Sequence, residues 1–317
     1  MKRIKIVVMV ALLGLGLGVS GRAQQAQTVF EIDPGVSMLG AAAAGVSIVD
    51  GAETIYYNPA GLSKLPGISF SSFYASFLGQ ADYSALALTF RNWGVAVLLL
   101  GSTGIQGYDV DGNQTDALAY RNTGIVFGAG VAPSDLPFLP EFAVDVSLGA
   151  RIKLVTADVG EATGTGFSFD LGFRTVFPAL HFAAFAISDI AIGVTAVNLF
   201  GSLPYDTVSD DFLMDIKFGG SARFAEVFCV AIDFHLAGSA HLGFVYEPIP
   251  TFALRLGLIS RSGVSITAGL GVNVEGFEID YAYVTNMLGG THRVSLTLDF
   301  SSLDITALSR SLRRLLP

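Results

Sequence analysis

The feature that most constrains this chain is alternation. Segments of about ten residues, bounded by Gly, Pro, Asn or Asp, place apolar side chains at every second position, a period that only a β-strand presents to two environments. In 143–155 Val144, Val146, Leu148, Ala150, Ile152 and Leu154 share one face and Asp145, Ser147, Gly149, Arg151 and Lys153 the other. In 165–176 Phe167, Phe169, Leu171 and Phe173 oppose Ser168, Asp170, Gly172 and Arg174, and 226–236 and 291–300 divide in the same way. A tilted strand of about ten residues crosses the hydrocarbon core of a bilayer. A soluble β-sandwich also alternates, but its polar face meets bulk water and carries many Lys and Glu; here that face is sparse, small and rich in Gly.

Read this way, the chain predicts strands at 67–77, 82–90, 93–100, 122–131, 143–155, 165–176, 190–200, 212–223, 226–236, 238–246, 251–259, 263–273, 276–284 and 291–300. The fold class is therefore all-β, a transmembrane antiparallel β-barrel of about 14 strands. An even count leaves both ends on the periplasmic side, with tight turns at Arg91-Asn92 and Val274-Glu275 on that side and the longest loop, 101–121, outside. Ala179 to Phe200 is long enough for a membrane helix, but Asp189 sits near its middle. A charge there is costly in a lone helix, so the segment is read as a turn around Ser188-Asp189 followed by a strand from Ile190.

The N-terminus sets the compartment. Lys2, Arg3 and Lys5 precede an apolar run from Ile6 to Val19 and a small-residue exit ending Gly21-Arg22-Ala23, the pattern of a secretory signal peptide cleaved near Ala23. Four of the 18 basic residues and none of the 27 acidic ones lie in that leader, so the mature chain has a net charge of −13. With no basic patch to release counterions, nucleic acid is excluded as a partner. Charged residues make up 14% of the chain against about 25% in an ordinary soluble domain, and mean hydropathy is +0.58. Together these place the chain in the outer membrane of a Gram-negative-type bacterium, surrounded by lipid.

Between leader and first strand, Gly35 to Leu62 is rich in Ala and Gly and poor in charge, which suits a plug folded into a confined lumen. The chain thus divides into a signal peptide (1–23), an N-terminal hatch (24–66), a barrel (67–300) and a periplasmic tail (301–317). In the tail Leu308, Leu312, Leu315 and Leu316 share one helical face, the pattern of a short amphipathic helix.

Inward charges supply the candidate site. Arg151, Lys153, Arg174, Lys217, Arg255 and Arg293 are lumen cations, and Asp170, Asp215, Asp233, His235, Glu278 and Asp280 face them. Each serves either as a ligand clamp or as half of a structural ion pair. Charge complementarity predicts that Asp215 faces His235 and Lys217 faces Asp233, that Asp170 lies beside Arg151 or Lys153, and that Glu278 and Asp280 accompany Arg293. No catalytic constellation is present, so no enzyme activity is expected. The four His lack metal-ligand spacing, and the single Cys229 excludes a disulfide or a cysteine metal cage. The run Asp109, Asp111, Asn113 and Asp116 has half of a calcium-loop pattern without the closing Glu and reads as a turn. No metal or cofactor is expected.

Two stretches carry a family resemblance. IVDGAETIYYNPAGLSKL (Ile48 to Leu65) and AGLGVNVEGFEIDYAYVTNMLGGTHRVSLTLDF (Ala268 to Phe300) resemble the plug and closing hairpin of the FadL-like outer-membrane barrels, in particular the smaller PorV/PorQ-type branch. The resemblance implies a monomeric barrel of about fourteen strands holding a hatch, with Asn58, Pro59, Ala60 and Gly61 in the hatch turn. It implies hatch-gated uptake of long-chain fatty acids or other hydrophobic compounds, or, alternatively, a PorV-like component of a protein-secretion system with protein partners. The chain departs from the family at Leu39-Gly40-Ala41-Ala42-Ala43, where a Gly-Met-Gly-Gly-Ala run is usual, and in continuing past Phe300.

Overall fold

The computed structural model describes residues 28–49, 51–77, 79–108, 111–115, 117–136, 144–183, 185–205, 209–286 and 289–302. The leader, its cleavage site, the tail helix, and Asp109 and Asp116 lie outside these. Fourteen antiparallel strands close into one barrel: β1 Ser69–Phe77, β2 Ala81–Phe90, β3 Trp93–Ile105, β4 Leu118–Val131, β5 Asp145–Val159, β6 Ala162–Phe177, β7 Ala186–Phe200, β8 Asp215–Phe224, β9 Phe228–His235, β10 Ser239–Ile249, β11 Phe252–Ser260, β12 Val264–Val274, β13 Phe277–Asn286 and β14 Gly289–Asp299. Every strand pairs with its sequence neighbours, and β1 closes on β14 with Ser69 opposite Asp299 and Ala75 opposite Arg293. No described helix is long and apolar enough to cross a membrane; closure of the fourteen strands satisfies their backbone instead.

The outward face is the apolar one. Leu86, Phe127, Ile152, Leu171, Leu256 and Val294 are exposed on it, and their neighbours on the same strands point inward and are buried. The even strand count puts the start of β1 at Ser69 and the end of β14 at Asp299 side by side at one end of the barrel, here the near end. Near-end turns include Asn92 (φ 78°) and the pair Glu275 and Gly276 (φ 53° and 82°), left-handed conformations that suit tight hairpin connections. At the far end, residues 201–205 and 209–214 fold back over the mouth and bury Leu203 and Phe212 against Val155 and Ala157.

The structure corrects two local expectations. The seventh strand starts at Ala186 and runs through Asp189, which is not a turn. Asp189 takes φ 48° at a bulge in the β7–β8 ladder, its carboxylate 3.3 Å from Arg223 Nε. Across β8 and β9, Lys217 faces His235 and Gly219 faces Asp233, two residues away from the charge-based register. The three-residue turn Ala225–Val227 sets this register, with Ala225 and Glu226 both left-handed and Phe224 paired with Phe228. A parity-preserving slip of two keeps every side chain on its own face, so periodicity alone does not discriminate between the registers.

Residues 28–66 pass through the barrel as short turns of helix: 3-10 segments Val29–Glu31, Gly51–Glu53 and Pro59–Lys64, and helices α1 Val36–Gly40 and α2 Thr54–Tyr57. Val29, Ile55 and Leu62 on this segment pack with Phe73, Tyr83, Leu98 and Val126 of the wall. The inward face is small because it is occupied, not because it is wet. Gly130, Gly149 and Gly172 are successive cross-strand partners on β4 to β6, and a Cβ on any of them would collide with Asn58, Pro59, Ala60 or Ser63. Gly193 and Gly219 are paired beneath Val46 and Ser47, and Gly243 and Gly257 beneath Ala41 and Ala42. At Gly172 the missing side chain makes room for the Asn58 and Pro59 side chains, and at the others it lets the backbone of the N-terminal segment come up against the wall.

A Val at Gly149 is expected to destabilise the folded protein by about 1–3 kcal/mol, the usual cost of overpacking, and to make residues 55–65 accessible to protease while the barrel still forms. Limited proteolysis of the folded, heat-modifiable species measures this. An unchanged cleavage pattern would mean that the seat is not filled as described.

Candidate functional site

The N-terminal segment is held by side chains from all around the lumen. Asn58 donates through Nδ2 to the carbonyls of Val46 (2.7 Å) and Phe173 (3.0 Å), and its Oδ1 accepts from Ala60 N at 3.1 Å. It thereby caps the 3-10 turn that begins at Pro59, as Asx side chains do at helix starts. Pro59, Ala60 and Gly61 are buried beside it. Glu53 accepts from the backbone of Ser37 and Met38, both at 3.3 Å, at the start of α1. Tyr57 donates to Gly35 O at 3.2 Å; burial pushes its hydroxyl pKa up, so the proton needed for this bond stays in place.

From the wall, Asn122 Oδ1 accepts from Val29 N at 3.2 Å, and Tyr83 donates to the carbonyls of Val29 and Ile32. Thr267 Oγ1 accepts from Ala42 N and donates to Gly40 O, both at 3.0 Å. His241 Nδ1 lies 2.6 Å from Ala42 O, Asp233 Oδ2 accepts from Val46 N at 3.0 Å, and Arg174 Nε donates to Ser47 O at 2.6 Å. Arg293 donates to Asp33 O at 2.6 Å and lies over the Phe77 ring.

The predicted lumen charges fall into distinct groups. Arg151 and Lys153 both reach Asp170, which is fully buried: the Arg151 Nε contact is a direct hydrogen bond, and Lys153 Nζ lies 3.0 Å from Oδ1. Arg151 also donates to the carbonyls of Ile55 and Tyr56, and Lys153 to Asn198 Oδ1 at 2.6 Å. Asn198, left-handed at φ 55°, donates its N–H to Asp170 at 2.7 Å, so the bulge in β7 completes the shell of a buried carboxylate.

Glu278 and Asp280 do not accompany Arg293 but Arg255, at 3.5 Å and 2.5 Å. The reason is Gly271 on the strand between: a Cβ there would lie 2.5 Å from Asp280 Oδ1 and 2.6 Å from Arg255 Nη1. Its absence opens a lane across β12. Asp215 lies 3.9 Å from His235 Nδ1 and accepts from Ala237 N at 2.8 Å. Lys217 and Arg261 stand at the far-end cavity with Glu31, on which both act electrostatically, and neither has an ion-pair contact among the described residues.

Three cavities stand out among the described residues, one of them, of ≈ 210 Å³, at the near end beside Ser69, Asn273, Gly276, Glu278 and Asp299. A far-end cavity of ≈ 250 Å³ is lined by Phe30, Pro34, Tyr56, Leu98, Val126, Val197 and Leu213 on its apolar side and by Glu31, Asp33, Arg151, Lys153, Asp215, Lys217, His235 and Arg261 on its polar side. A near-end cavity of ≈ 200 Å³ lies among Met38, Ile48, Val49, Arg223, Cys229, Val245, Phe252 and Arg255. Sequence reasoning missed Thr267, His241, Asn122, Asn198 and Arg261. The inward parity of the first three was readable, but a neutral side chain bonded to backbone leaves no charge pattern, and Arg261 belongs to a turn.

No family model matches the chain, and no curated protein does. Among solved structures, the Pseudomonas putida toluene transporter TodX aligns at 12% identity with a TM-score of 0.50, over 86% of this chain and 98% of that one. The CymD monoaromatic hydrocarbon channel aligns at 14% identity with a TM-score of 0.50, over 83% and 96%.

Replacing Asp170 with Asn leaves Arg151 and Lys153 buried without a counter-charge. The expected loss is about 3–5 kcal/mol, the cost of breaking a buried ion pair from one side; urea unfolding in lipid vesicles measures it. A loss under about 1 kcal/mol would show that water screens these charges. At such low identity the likeness is one of fold, and the fold is that of an outer-membrane channel barrel.

Proposed function

We propose that the chain is exported, loses its leader near Ala23, and acts in the outer membrane as a monomeric channel for hydrophobic compounds, with residues 24–66 as its hatch. The far-end cavity then opens to the exterior and the near-end cavities to the periplasm. The fold shared with two hydrocarbon channels supports the class of cargo, and the lumen of this chain refines it. Arg151, Lys153 and Arg255 are neutralised by carboxylates, and Arg174 and Arg293 are bound to backbone carbonyls. Lys217 and Arg261, alone among the cations at these cavities, have no protein partner within ion-pair or hydrogen-bond distance in the described residues, with Glu31 of the same cavity acting on both at longer range. An apolar wall facing two cations that no protein group contacts suits a compound with an apolar body and a carboxylate head.

The size of the cavity narrows the choice. At ≈ 250 Å³ it is below the roughly 300–1,000 Å³ of drug-sized pockets, so it takes an aromatic carboxylate or a medium-chain fatty acid whole and a long-chain fatty acid only in part.

Calorimetric titration of the detergent-solubilised protein with octanoate, benzoate and toluene tests this reading. Octanoate or benzoate is expected to bind at least tenfold tighter than toluene, and Lys217→Met with Arg261→Met to remove most of that preference, since a charge-assisted hydrogen bond contributes about 1.5–3 kcal/mol. Equal affinity for toluene and benzoate, unchanged in the double variant, would contradict the carboxylate clamp.

A further inference from the structure

We propose that the moving part of this channel is loop 41–47 alone, a partition between the far-end cavity and the near-end cavity at Cys229, held closed against its own backbone strain. The proposal rests on the reading of the chain as a channel and names its gate. On β8, β9 and β10, and on β11 with the turn that follows it, the wall residues fall in the same order. On β9, His235 lines the far-end cavity and Cys229 the near-end one; on β10, Ser239 and Val245 do so. The positions between them carry the loop: Asp233 on Val46, His241 on Ala42, Gly243 against Ala41. Along this wall the loop is what separates the cavities.

The loop is also the strained part of the N-terminal segment. Ala42 and Ala43 are consecutive left-handed residues, φ 61° and 56°, a conformation that costs an L-residue with a Cβ roughly 1–2 kcal/mol. Such strain persists only where surrounding contacts over-determine it. Those contacts come from side chains of four different strands, Arg174, Asp233, His241 and Thr267, each bonded to loop backbone. The flanking pieces have wall anchors of their own, Val29 on Asn122 and Tyr83 and Asn58 on Phe173, while Asn58 also holds Val46 O of the loop and Thr267 also holds Gly40 O just before it. Letting go of the loop therefore leaves the remainder of the segment seated and joins the cavities along β8 to β11.

The two features predict effects of opposite sign. Loosening a pin favours the open state, whereas relieving the strain favours the closed one. In planar bilayers in KCl, Thr267→Val and Asp233→Asn in the full-length protein are each expected to raise the frequency of channel opening about tenfold, the factor set by 1.4 kcal/mol in an equilibrium. Adding Ala42→Gly and Ala43→Gly to Thr267→Val is expected to bring the frequency back down several-fold. Only preparations with wild-type heat-modifiability are compared, and the conservative pin variants keep the experiment informative if one of them misfolds. Unchanged opening in both pin variants, or glycines that open the channel further, would overturn the proposal. Ion conductance needs no cargo, so this outcome is independent of octanoate binding: binding with no effect of pins or glycines sinks the gate and leaves the channel reading standing.

Discussion

The contact on which the structure depends is backbone against backbone, between the glycines of the barrel wall and the N-terminal segment. A barrel of fourteen strands encloses more space than side chains from its own wall can fill. This chain fills it with about forty residues of its own N-terminus, seated at Gly149, Gly172, Gly193, Gly219, Gly243 and Gly257. Those seats allow backbone donors and acceptors of the segment to reach wall side chains, and a buried polar backbone without such partners is costly. Close approach and hydrogen bonding thus depend on each other.

The same arrangement explains the scarcity of free charge. A lumen packed with protein desolvates whatever faces it, so a cation there is tolerated when a carboxylate or a set of carbonyls compensates it. Arg151, Lys153 and Asp170 form one such set and Arg255, Glu278 and Asp280 another. Lys217 and Arg261 escape this requirement because they stand at the far-end cavity, where the packing stops.

Alternation made the wall legible in the sequence: the strand count, the outward apolar face of β5, β6, β9 and β14, and the inward aspect of every predicted lumen residue follow from period two. Register was less legible. Shifting β9 against β8 by two residues conserves that period, and the left-handed turn at Ala225 and Glu226, with no Gly or Asn to announce it, decided between them. Partner choice was hidden where a glycine removed a neighbour: Arg255 reaches Asp280 across β12 through the space left at Gly271. The path of residues 28–66 was the least readable part. Small residues announce close packing but not against what, and pins such as Thr267 and His241 carry no signal in a single sequence beyond their parity.

The most direct measurement of the central claim is single-channel conductance of the full-length protein against a variant lacking residues 28–65, both taken from the folded fraction. Filling of the lumen predicts a full-length barrel that is closed to ions nearly all of the time and a shortened one that conducts steadily, as open barrels of similar size do. Steady conductance by the full-length protein, or a shortened barrel that stays closed, would contradict it.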